Sequence, residues 1–357
     1  MNIVALNSSK NWGGNERWLT TALNGLSSRG HQIYLIKRHK TNHWNSLNSS
    51  INVLEAPFTN ELSIKTKTII RDTIKKGNSD ILLSTKRKDY VLAAQVKSKV
   101  NISHIMRLGI SRPILKRDII QRYIISKRVD GIIVNAQSLK SELLKYSFIK
   151  NTFNPDTIRC IYNGYDIVES KPTNFNKTTS DFLIRSAGRL TAHKGYDILL
   201  SSLNSIKDLN TKYILEIAGE GPEQKRLQAL IKRYNLESQC RLVGEKNDIV
   251  SFFNEADLVI IPSRSEGIPN TLFEAWMAKK PVIATNAGGI SEVVDNTKDG
   301  IICEPNSEDL MNVLKKYINN VDDFKEMGLK GYNKLMQSFS MDKMTKSLED
   351  YLHGFSD

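Results

Sequence analysis

The chain has 357 residues, a length typical of two domains that each bury a core of their own. Its content of 40% hydrophobic and 25% charged residues is ordinary for a globular protein, and no apolar run approaches the ~20 residues of a membrane span. Met1–Leu6 lacks the basic and apolar regions of a signal peptide. Three scattered cysteines, Cys160, Cys240 and Cys303, exclude a disulfide framework and a cysteine metal site, which suits a reducing cytoplasm.

The net charge of +13 is concentrated in the first half of the chain. Residues 1–165 carry 27 Lys and Arg against 10 Asp and Glu, whereas the remainder carries 24 against 28. This asymmetry predicts an anionic partner for the first half, such as a membrane surface or a phosphate-linked substrate. The alternative is a basic surface that only faces water. Binding to nucleic acid is not predicted, because there is no helix-turn-helix pattern and no platform of aromatic and basic residues.

The chain begins with a β-strand, a helix and a second strand. The apolar run Asn2–Leu6 predicts the first strand, apolar residues at helical spacing predict a helix over Glu16–Arg29, and Gln32–Lys37 predicts the next strand. Between the first strand and the helix lie Gly13 and Gly14, where the backbone can approach a ligand closely. An ordinary tight turn is the other interpretation of these glycines.

The same alternation continues to about residue 161. The predicted strands are Ile51–Leu54, Asp80–Ser84, Asn101–Met106, Gly131–Val134 and Ile158–Ile161, and the predicted helices are Leu62–Lys76, Tyr90–Lys97, Arg112–Arg128 and Ser138–Tyr146. The helix over Arg112–Arg128 is amphipathic and basic, a pattern typical of helices that lie on a membrane, although a surface helix that covers the sheet fits equally well.

The second half repeats the alternation after a polar stretch, residues 166–180, which is the predicted linker. The predicted strands are Phe182–Ala187, Tyr213–Ala218, Arg241–Val243, Leu258–Ile261, Val282–Ala284 and Ile301–Cys303, and the predicted helices are Tyr196–Ile206, Pro222–Tyr234, Ile249–Asn254, Asn270–Lys279 and Ser307–Asn319. Two further helical runs fill residues 322–352, broken near residues 338–341. We therefore predict two doubly wound α/β domains, 1–165 and 181–338, whose ligands lie beyond the carboxyl ends of the strands.

One stretch, Ser263–Trp276, predicts an anion site. Pro262 ends a buried strand, Gly267 and Pro269 break the loop, and Asn270 or Thr271 is the predicted N-cap of the next helix, whose free N–H groups favour a phosphate. Glu266 and Glu274 flank this site. Eight helical residues span ~12 Å, too far for the two carboxylates of a glycosidase, which lie ~5–9.5 Å apart. One carboxylate at each end of a nucleotide sugar is a better use, since carboxylates accept hydrogen bonds from hydroxyls.

This stretch resembles the E-x7-E signature of retaining glycosyltransferases of the GT-B fold, family 4. Further segments match the family in the expected order: Gly13–Arg17, Ser186–Leu190 with His193–Gly195, Ala218–Pro222, Pro281–Ala284 and Gly288–Gly289. The resemblance implies two Rossmann-like domains that face each other across a cleft, with a last helix, residues 339–357, that crosses back to the first domain. It also implies transfer with retention, by a front-face mechanism in which the leaving phosphate takes the acceptor proton.

The resemblance carries roles over to individual residues. Arg189 and Lys194 would hold the diphosphate, Glu266 would lie beside the donor sugar and Glu274 would bind the ribose. Arg189, Lys194 and Glu266 are thus the catalytic candidates. The remaining candidates for donor binding are Gly13, Gly14, Lys246 near the base, Gly267, Ile268, Pro269, Asn270 and Thr271. Since the sequence contains no Asp-x-Asp, we expect no metal and no cofactor, and fixed cations must stabilise the leaving group.

Other interpretations are weaker. Gly219-Glu-Gly-Pro222 resembles a dinucleotide fingerprint, but Gln224 stands where the third glycine is needed, so Pro222 is better explained as the first residue of a helix. His104 and Arg107 end a strand and are acceptor-side candidates, although a histidine in an apolar strand is more often a core residue with satisfied hydrogen bonds.

The sequence therefore predicts a cytoplasmic glycosyltransferase, peripheral on the inner face of the plasma membrane. Its predicted acceptor is a cell-envelope glycan or a lipid-linked glycan of the lipopolysaccharide, capsule or exopolysaccharide type. A nucleotide-sugar epimerase of the same fold and a non-catalytic subunit are the alternatives. Intact Arg189, Lys194, Glu266 and Glu274 argue against the second alternative.

Overall fold

A computed structural model describes residues 1–41, 44–109, 118–166, 182–206, 213–318 and 322–356. The chain forms two compact units. Unit 1 comprises Met1–Asp166 together with Phe339–Asp357, and unit 2 comprises Ile167–Ser338. The predicted linker lies almost wholly outside the described residues, which resume at Phe182.

Unit 1 is built on a parallel sheet of seven strands in the order β3-β2-β1-β4-β5-β6-β7. The central strand β1 has Ile3 opposite Ile33 on one side and opposite Ile81 on the other. The strands are β1 Asn2–Asn7, β2 Gln32–Arg38, β3 Asn52–Ala56, β4 Ile81–Ser84, β5 Ser103–Leu108, β6 Gly131–Val134 and β7 Ile158–Cys160. This strand order is that of a doubly wound sheet.

Helices cover both faces of this sheet, which explains why its strands are apolar on both sides. Ile3 and Ala5 pack with residues of the first and last helices, while Val4 and Leu6 pack with Phe58 on the opposite face. The helices of unit 1 are α1 Gly14–Ser28, α2 Ile64–Lys76, α3 Arg87–Lys97, α4 Ile119–Arg128, α5 Gln137–Leu144, α6 Ser147–Lys150 and α14 Met341–His353.

The amphipathic helix predicted over Arg112–Arg128 is wrong as one continuous element. Asp118 has an extended backbone, and its side chain accepts a hydrogen bond from the Gln121 N–H, so it is the N-cap of α4, which begins at Ile119. Residues 110–117, which include Lys116 and Arg117, lie outside the described residues.

Unit 2 repeats the architecture with six parallel strands in the order β10-β9-β8-β11-β12-β13. The strands are β8 Phe182–Ala187, β9 Tyr213–Ala218, β10 Cys240–Leu242, β11 Leu258–Ile261, β12 Val282–Thr285 and β13 Ile301–Cys303. The helices are α7 Tyr196–Asn204, α8 Gln224–Arg233, α9 Ile249–Asn254, α10 Asn270–Met277, α11 Ile290–Val293, α12 Ser307–Ile318 and α13 Asp322–Ser338.

In unit 2 the predicted start of α8 and the predicted N-cap of α10 are wrong, whereas the predicted start of α10 at Asn270 is confirmed. Helix α8 begins at Gln224 with Glu223 as its N-cap, so Pro222 precedes the helix. Helix α10 begins at Asn270 with Pro269 as its N-cap, and no side chain caps it. Neither Asn270 nor Thr271 therefore has the predicted capping role.

The two helices at the end of the chain pack in different units. In unit 2, Gly331 of α13 lies against the Trp276 ring of α10, where an added Cβ would approach the ring nitrogen to 2.2 Å. In unit 1, Gly25 of α1 lies against Thr345 of α14 in the same way, at 2.1 Å. Tyr165 and Ser340 form a parallel bridge. No helix in the described part of the chain is long and apolar enough to span a bilayer.

Candidate active site

Two loops at the carboxyl edge of the unit 2 sheet are fastened to each other. One follows β8 and carries Arg189 and Lys194, and the other follows β11 and carries Glu266. The Arg264 N–H donates to the His193 carbonyl at 2.7 Å, and the Arg264 guanidinium makes two bonds to the Asp197 carboxylate, at 2.6 and 3.0 Å. These hydrogen bonds hold together the two loops that carry the candidate residues.

The centre of the site is an ion pair between Lys194 and Glu266. The Lys194 ammonium contacts Glu266 Oε1, and the same oxygen accepts a hydrogen bond from Ser263 Oγ at 3.1 Å. The two side chains are only 17% and 12% exposed, so the pair is shielded from water yet still reachable. Ser263 is buried and was missed by the sequence reasoning, since a serine beside a strand end carries no specific signal.

Arg189 is the exposed cation of the same loop. Within the described ranges its side chain makes no ion pair, whereas Lys194 is held by Glu266. The loop turns at Gly188, whose φ is 149°, and an added Cβ there would contact the Lys194 side chain at 3.3 Å. The site therefore has one cation fixed in place and one that faces solvent.

The Glu266 loop rests on the glycine pair after β12. A Cβ on Gly288 would lie 1.8 Å from the Glu266 carbonyl oxygen, and Gly288 has a φ of 63°. The Gly289 N–H donates to the Gly267 carbonyl at 2.7 Å. Only a residue without a side chain fits this close backbone contact, which gives the Gly288–Gly289 pair of the sequence its physical purpose.

Helix α10 begins directly after this loop. Gly267, Ile268 and Pro269 are buried, so the loop presents backbone more than side chain. Thr271 Oγ1 is buried and has no hydrogen-bond partner in the described residues, although its side chain stands at the helix N-terminus. Glu274 is 5% exposed and lies one turn further along α10.

Lys246 lies in the neighbouring loop after β10 and is exposed. This loop is joined to the β9 loop, because the Gly219 N–H donates to the Gly244 carbonyl at 2.8 Å. The β9 loop is joined in turn to the β8 loop by the Leu190 N–H, which donates to the Glu220 carbonyl at 2.9 Å. Lys246 therefore belongs to the same edge of the sheet as Arg189.

In unit 1, Gly13 and Gly14 stand where β1 gives way to α1. Gly13 is the N-cap of α1 and Gly14 its first residue. Glu16 is buried below them and accepts from Lys86 Nζ at 2.8 Å and from Asn7 Nδ2 at 3.1 Å. The sequence did not reveal this buried ion pair, because its partners are 70 residues apart.

The two acceptor-side candidates differ in their surroundings. His104 is fully buried, and its ring contacts Ser84 Oγ and the Arg128 carbonyl, both at 2.7 Å. Burial lowers the pKa of His104 to about 4, so the ring is neutral. These contacts favour the core interpretation of His104.

Arg107 is also buried, and its guanidinium lies 4.2 Å from the centre of the Trp18 ring. It donates to Asn15 Oδ1 at 2.7 Å and to Asn163 Oδ1 at 3.2 Å, while its Nε has no partner in the described residues. Burial lowers the pKa of Arg107 to about 10, which leaves it charged at neutral pH. Its hydrogen bond to Asn15 fixes the first turn of α1.

The unit 2 site can bind an anion that carries hydroxyl groups. Lys194, Arg189 and the N–H groups at the start of α10 supply positive potential, and Glu266 and Glu274 supply acceptors for hydroxyls. Because Glu266 already accepts from Lys194 and Ser263, the cation of this centre is a side chain held in position before any ligand arrives.

Comparisons with known proteins find similarity to glycosyltransferases. The model of the family glycosyl transferases group 1 matches residues 168–334, which is nearly all of unit 2. An uncharacterised glycosyltransferase of Methanocaldococcus jannaschii is 31% identical over 55% of this chain and 54% of its own length. The putative colanic acid biosynthesis glycosyltransferase WcaL of Escherichia coli is 30% identical over 40% of this chain and 37% of its own length. The chain thus spans about half, or less, of the length of these curated relatives.

Solved structures resemble the whole chain. A glycosyltransferase from Rickettsia africae has a TM-score of 0.83 and 21% identity, and the match covers 99% of this chain and 98% of that one. HepE of Anabaena, solved with UDP-glucose, has a TM-score of 0.84 and 21% identity over 99% of this chain and all of that one. The fold is therefore the α/β GT-B fold, and the prediction of two parallel, doubly wound sheets from the sequence is confirmed.

Proposed function

We propose that this protein is a retaining glycosyltransferase that moves a sugar from a nucleotide-sugar donor to a glycan or lipid-linked acceptor, without a metal ion. The observation that carries the proposal is the ion pair of Lys194 with Glu266, built into two joined loops beside the start of α10. The match of residues 168–334 to glycosyl transferases group 1 supports the same conclusion.

Each donor group has a proposed contact. The diphosphate lies between Arg189 and Lys194, because a guanidinium binds phosphate as a fork and an ammonium as a point charge. The donor sugar lies at Glu266, and the ribose at Glu274. Thr271 Oγ1 is buried without a partner in the described residues, so it is available to a ligand oxygen, together with the backbone from Gly267 to Asn270.

The proposed reaction follows from these contacts. As the bond between the anomeric carbon and the phosphate oxygen breaks, negative charge builds on the leaving diphosphate. Arg189 and Lys194 stabilise that charge without reorganisation. The leaving phosphate takes the proton of the acceptor hydroxyl, which then bonds to the anomeric carbon on the same face. The products are the glycosylated acceptor and the nucleoside diphosphate.

On the acceptor side, Arg107 is the better of the two candidates. It keeps its charge and its hydrogen bonds go to amide oxygens, Asn15 and Asn163, while both ring nitrogens of His104 are engaged. We propose that Arg107 supports the Gly13–Gly14 turn through Asn15, and we assign no acceptor contact to His104.

The acceptor is proposed to be presented by an anionic membrane surface. Five exposed apolar residues, here called the α2–α4 patch, stand at the starts of α2 and α4: Leu62, Ile64, Ile119, Ile120 and Tyr123. Arg87 joins the two starts, because it pairs with Glu61 at 3.0 Å and with Asp118 at 3.2 Å. Apolar side chains within a strongly basic half of the chain suit the headgroup region of anionic lipid. Cytoplasmic, peripheral localisation is part of this proposal.

The donor proposal is tested by thermal denaturation with a panel of UDP-, GDP- and ADP-sugars in the presence of EDTA. A ligand that binds only the folded chain raises the apparent stability. We expect one nucleotide class to raise the midpoint for the wild type and not for Arg189→Ala. If no nucleotide sugar changes the midpoint, or if each one needs added Mn²⁺, the proposal is wrong.

A further inference from the structure

A group of metal-ligand side chains lies in unit 1, apart from the candidate residues of the unit 2 site. His31 precedes β2, and Glu349 and His353 lie on the last helix, α14. One ligand atom from each of the three lies within 4.8 Å of the others. All three residues belong to unit 1, so the group is internal to one compact unit.

The position of the group argues against a role in the transfer reaction. All strands of the unit 1 sheet are parallel, and His31 stands at the amino end of β2, whereas Gly13 and Gly14 follow the carboxyl end of β1. Strands of six or seven residues are ~20 Å long, at about 3.3 Å per residue. The group is therefore at the opposite edge of the sheet from the glycine loop.

The chemistry of the three side chains fits a divalent transition metal. Two imidazoles and one carboxylate, with water in a fourth position, form a ligand set that Zn²⁺ accepts. Mg²⁺ and Ca²⁺ prefer oxygen ligands. Glu349 and His353 are four residues apart on α14, so they lie on one face of the helix.

The surrounding contacts already orient the proposed ligands. His31 Nε2 and Glu349 Oε1 are 2.7 Å apart, so both point to the same place. The other carboxylate oxygen, Oε2, accepts from Arg29 Nη1 at 2.9 Å, and Arg29 Nη2 also holds Asp342 at 2.6 Å. A hydrogen bond to the second oxygen of a ligating carboxylate is the usual outer shell of a metal site.

Two ligands are constrained and one is adjustable. The side chains of His31 and Glu349 are 8% and 17% exposed, while His353 is exposed at the end of α14. Metal–ligand bonds of about 2.0–2.2 Å place tetrahedral ligand atoms roughly 3.4 Å from one another. The 2.7 Å contact of His31 Nε2 with Glu349 Oε1 must therefore open slightly, and rotation of the exposed His353 side chain can bring its ring nitrogen to the metal.

The charge of Glu349 is also compatible with metal binding. Partial burial by itself would raise the pKa of Glu349, but the hydrogen bond from His31 and the charge of Arg29 lower it, so the carboxylate is ionised at neutral pH.

We propose that His31, Glu349 and His353 form a divalent-metal site of the Zn²⁺ class that fastens helix α14 to the loop between α1 and β2. The loop contributes His31 directly and Arg29 as a positioning residue. The helix contributes the other two ligands. Helix α14 already makes an apolar contact with α1 through Leu348 and Leu352. The metal adds coordination bonds to this contact.

The test is metal binding by the full chain, purified without a histidine tag and freed of metal by a chelator that is then removed. We expect Zn²⁺ to bind with one-to-one stoichiometry in calorimetry and Mg²⁺ not to compete. His31→Gln, Glu349→Gln and His353→Gln should each weaken binding at least ~10-fold, and Arg29→Gln should weaken it by a factor in the range ~10–100 reported for outer-shell partners. Co²⁺ should give the visible absorption of a tetrahedral site in the wild type and not in the three ligand variants.

His39→Gln is the matched control. His39 also contacts a carboxylate, since its Nδ1 is 3.0 Å from Glu55, but it is not part of the group of three. This variant should bind Zn²⁺ like the wild type. Because His353 is exposed, His353→Gln should fold normally, and Zn²⁺ should raise the melting midpoint of the wild type and not of this variant.

Absence of Zn²⁺ binding by the wild type would overturn the proposal. So would equal binding by the wild type and by His353→Gln, or an equal loss in His39→Gln. None of these outcomes bears on the proposed transfer reaction, because neither the binding measurement nor the melting measurement involves a nucleotide sugar.

Discussion

The charge of Lys194 has two proposed partners, Glu266 and the diphosphate of the donor. The Lys194 ammonium is held against Glu266, and in the proposed reaction it also faces the diphosphate. A nearly buried ion pair of this kind is costly to break from one side only, because the remaining charge is left without a partner. Removal of either side chain should therefore affect the position of the other.

Substitution of the two carboxylates of the site should have different effects on the kinetics. Glu274 is buried within α10 and is proposed to bind the ribose, so Glu274→Gln should mainly raise the KM for the donor. Glu266 is proposed to contact the reacting sugar, so Glu266→Gln should mainly lower kcat. Steady-state kinetics with the donor varied will separate the two effects. The assignment of roles fails if both variants show the same defect.

His104 provides a test at low pH. Its folded pKa of about 4 lies below the ordinary value of about 6.5, so the unfolded chain binds the proton more tightly between these values. Stability from this group is therefore complete above about pH 6.5 and is lost as the pH falls toward 4, by on the order of 3 kcal/mol. His104→Gln should show a smaller loss over this range.

Urea unfolding from pH 4 to pH 7 measures the effect, and the informative quantity is the difference between wild type and variant. Transfer activity at pH 7.5 is the second readout, and it should be little changed if the ring is only a core group. Equal pH dependence in the two proteins would contradict the burial of a neutral histidine. A selective loss of acceptor binding would restore His104 as an acceptor contact.

At the scale of the elements, strands were easier to predict than helix starts. The bounds of β6, β8, β11 and β13 agree with the apolar runs, because a strand covered by helices on both sides must be apolar throughout. The N-caps of α8 and α10 were wrong, because both turns are set by loop contacts and no side chain caps either helix. The start of a helix depends on a few hydrogen bonds at its first turn. Residues that are distant in sequence can make these bonds in place of a local capping side chain.

The candidate site could be predicted from the sequence only in part. Arg189, Lys194, Glu266 and Glu274 could be named as candidates because they stand in a motif with fixed spacing. The bond from Arg264 to His193 and the contact of Gly288 with Glu266 join residues that are distant in sequence, so no local pattern announces them. For this reason the sequence did not indicate the roles of Ser263 and Asp197.

Substitution of Gly195 tests the close contact between the loop after β8 and the loop after β11. Gly195 has a φ of 68°, and an added Cβ would lie 1.9 Å from the Pro262 carbonyl oxygen, just before the Glu266 loop. Gly30 has a similar φ of 85° with open space around it, so Gly30→Ala measures the cost of the conformation alone, roughly 1–2 kcal/mol.

We expect Gly195→Ala to lower the free energy of unfolding clearly more than Gly30→Ala does, and to lower activity as well, since the clash displaces the backbone ahead of Glu266. Urea denaturation of both variants with the wild type gives the comparison. Equal destabilisation by the two substitutions would mean that the close contact between these loops does not exist in solution.

At the scale of the whole molecule, the charge asymmetry is the feature that the fold alone does not explain. Both units have the same architecture, yet only residues 1–165 are strongly basic. The α2–α4 patch adds exposed apolar side chains to that half, with Ile119 77% exposed and Ile120 64% exposed. Stability does not require such residues on a surface, and contiguous apolar patches usually mark an interaction site.

We predict that the protein binds liposomes that contain anionic lipid and releases them as salt shortens the Debye length from about 10 Å at 0.1 M toward about 3 Å at 1 M. Replacement of Arg122, Lys127 and Arg128 by Gln should weaken binding, since each basic residue near the surface contributes about 1 kcal/mol. The double substitution Ile119→Ser with Ile120→Ser should weaken it as well. Co-sedimentation measures both effects.

Leu329→Ser is the control for the apolar substitutions, because Leu329 is 50% exposed on α13 in unit 2. It should bind like the wild type. If the wild type ignores lipid charge, the basic surface has another partner. If all variants bind equally well, the membrane contact lies outside α4.

The central claim is that fixed side-chain cations, with no metal ion, stabilise the leaving diphosphate. The most direct measurement is the rate of nucleoside diphosphate release from the donor identified by the thermal panel, in excess EDTA, for the wild type, Arg189→Ala, Lys194→Ala and the exposed control Lys232→Ala. We predict full activity of the wild type and of Lys232→Ala in EDTA, and a loss of ~10²-fold or more for each of the other two variants, comparable to removal of an oxyanion-hole donor. Loss of wild-type activity in EDTA with recovery on addition of Mn²⁺, or near-normal rates for Arg189→Ala and Lys194→Ala, would contradict it.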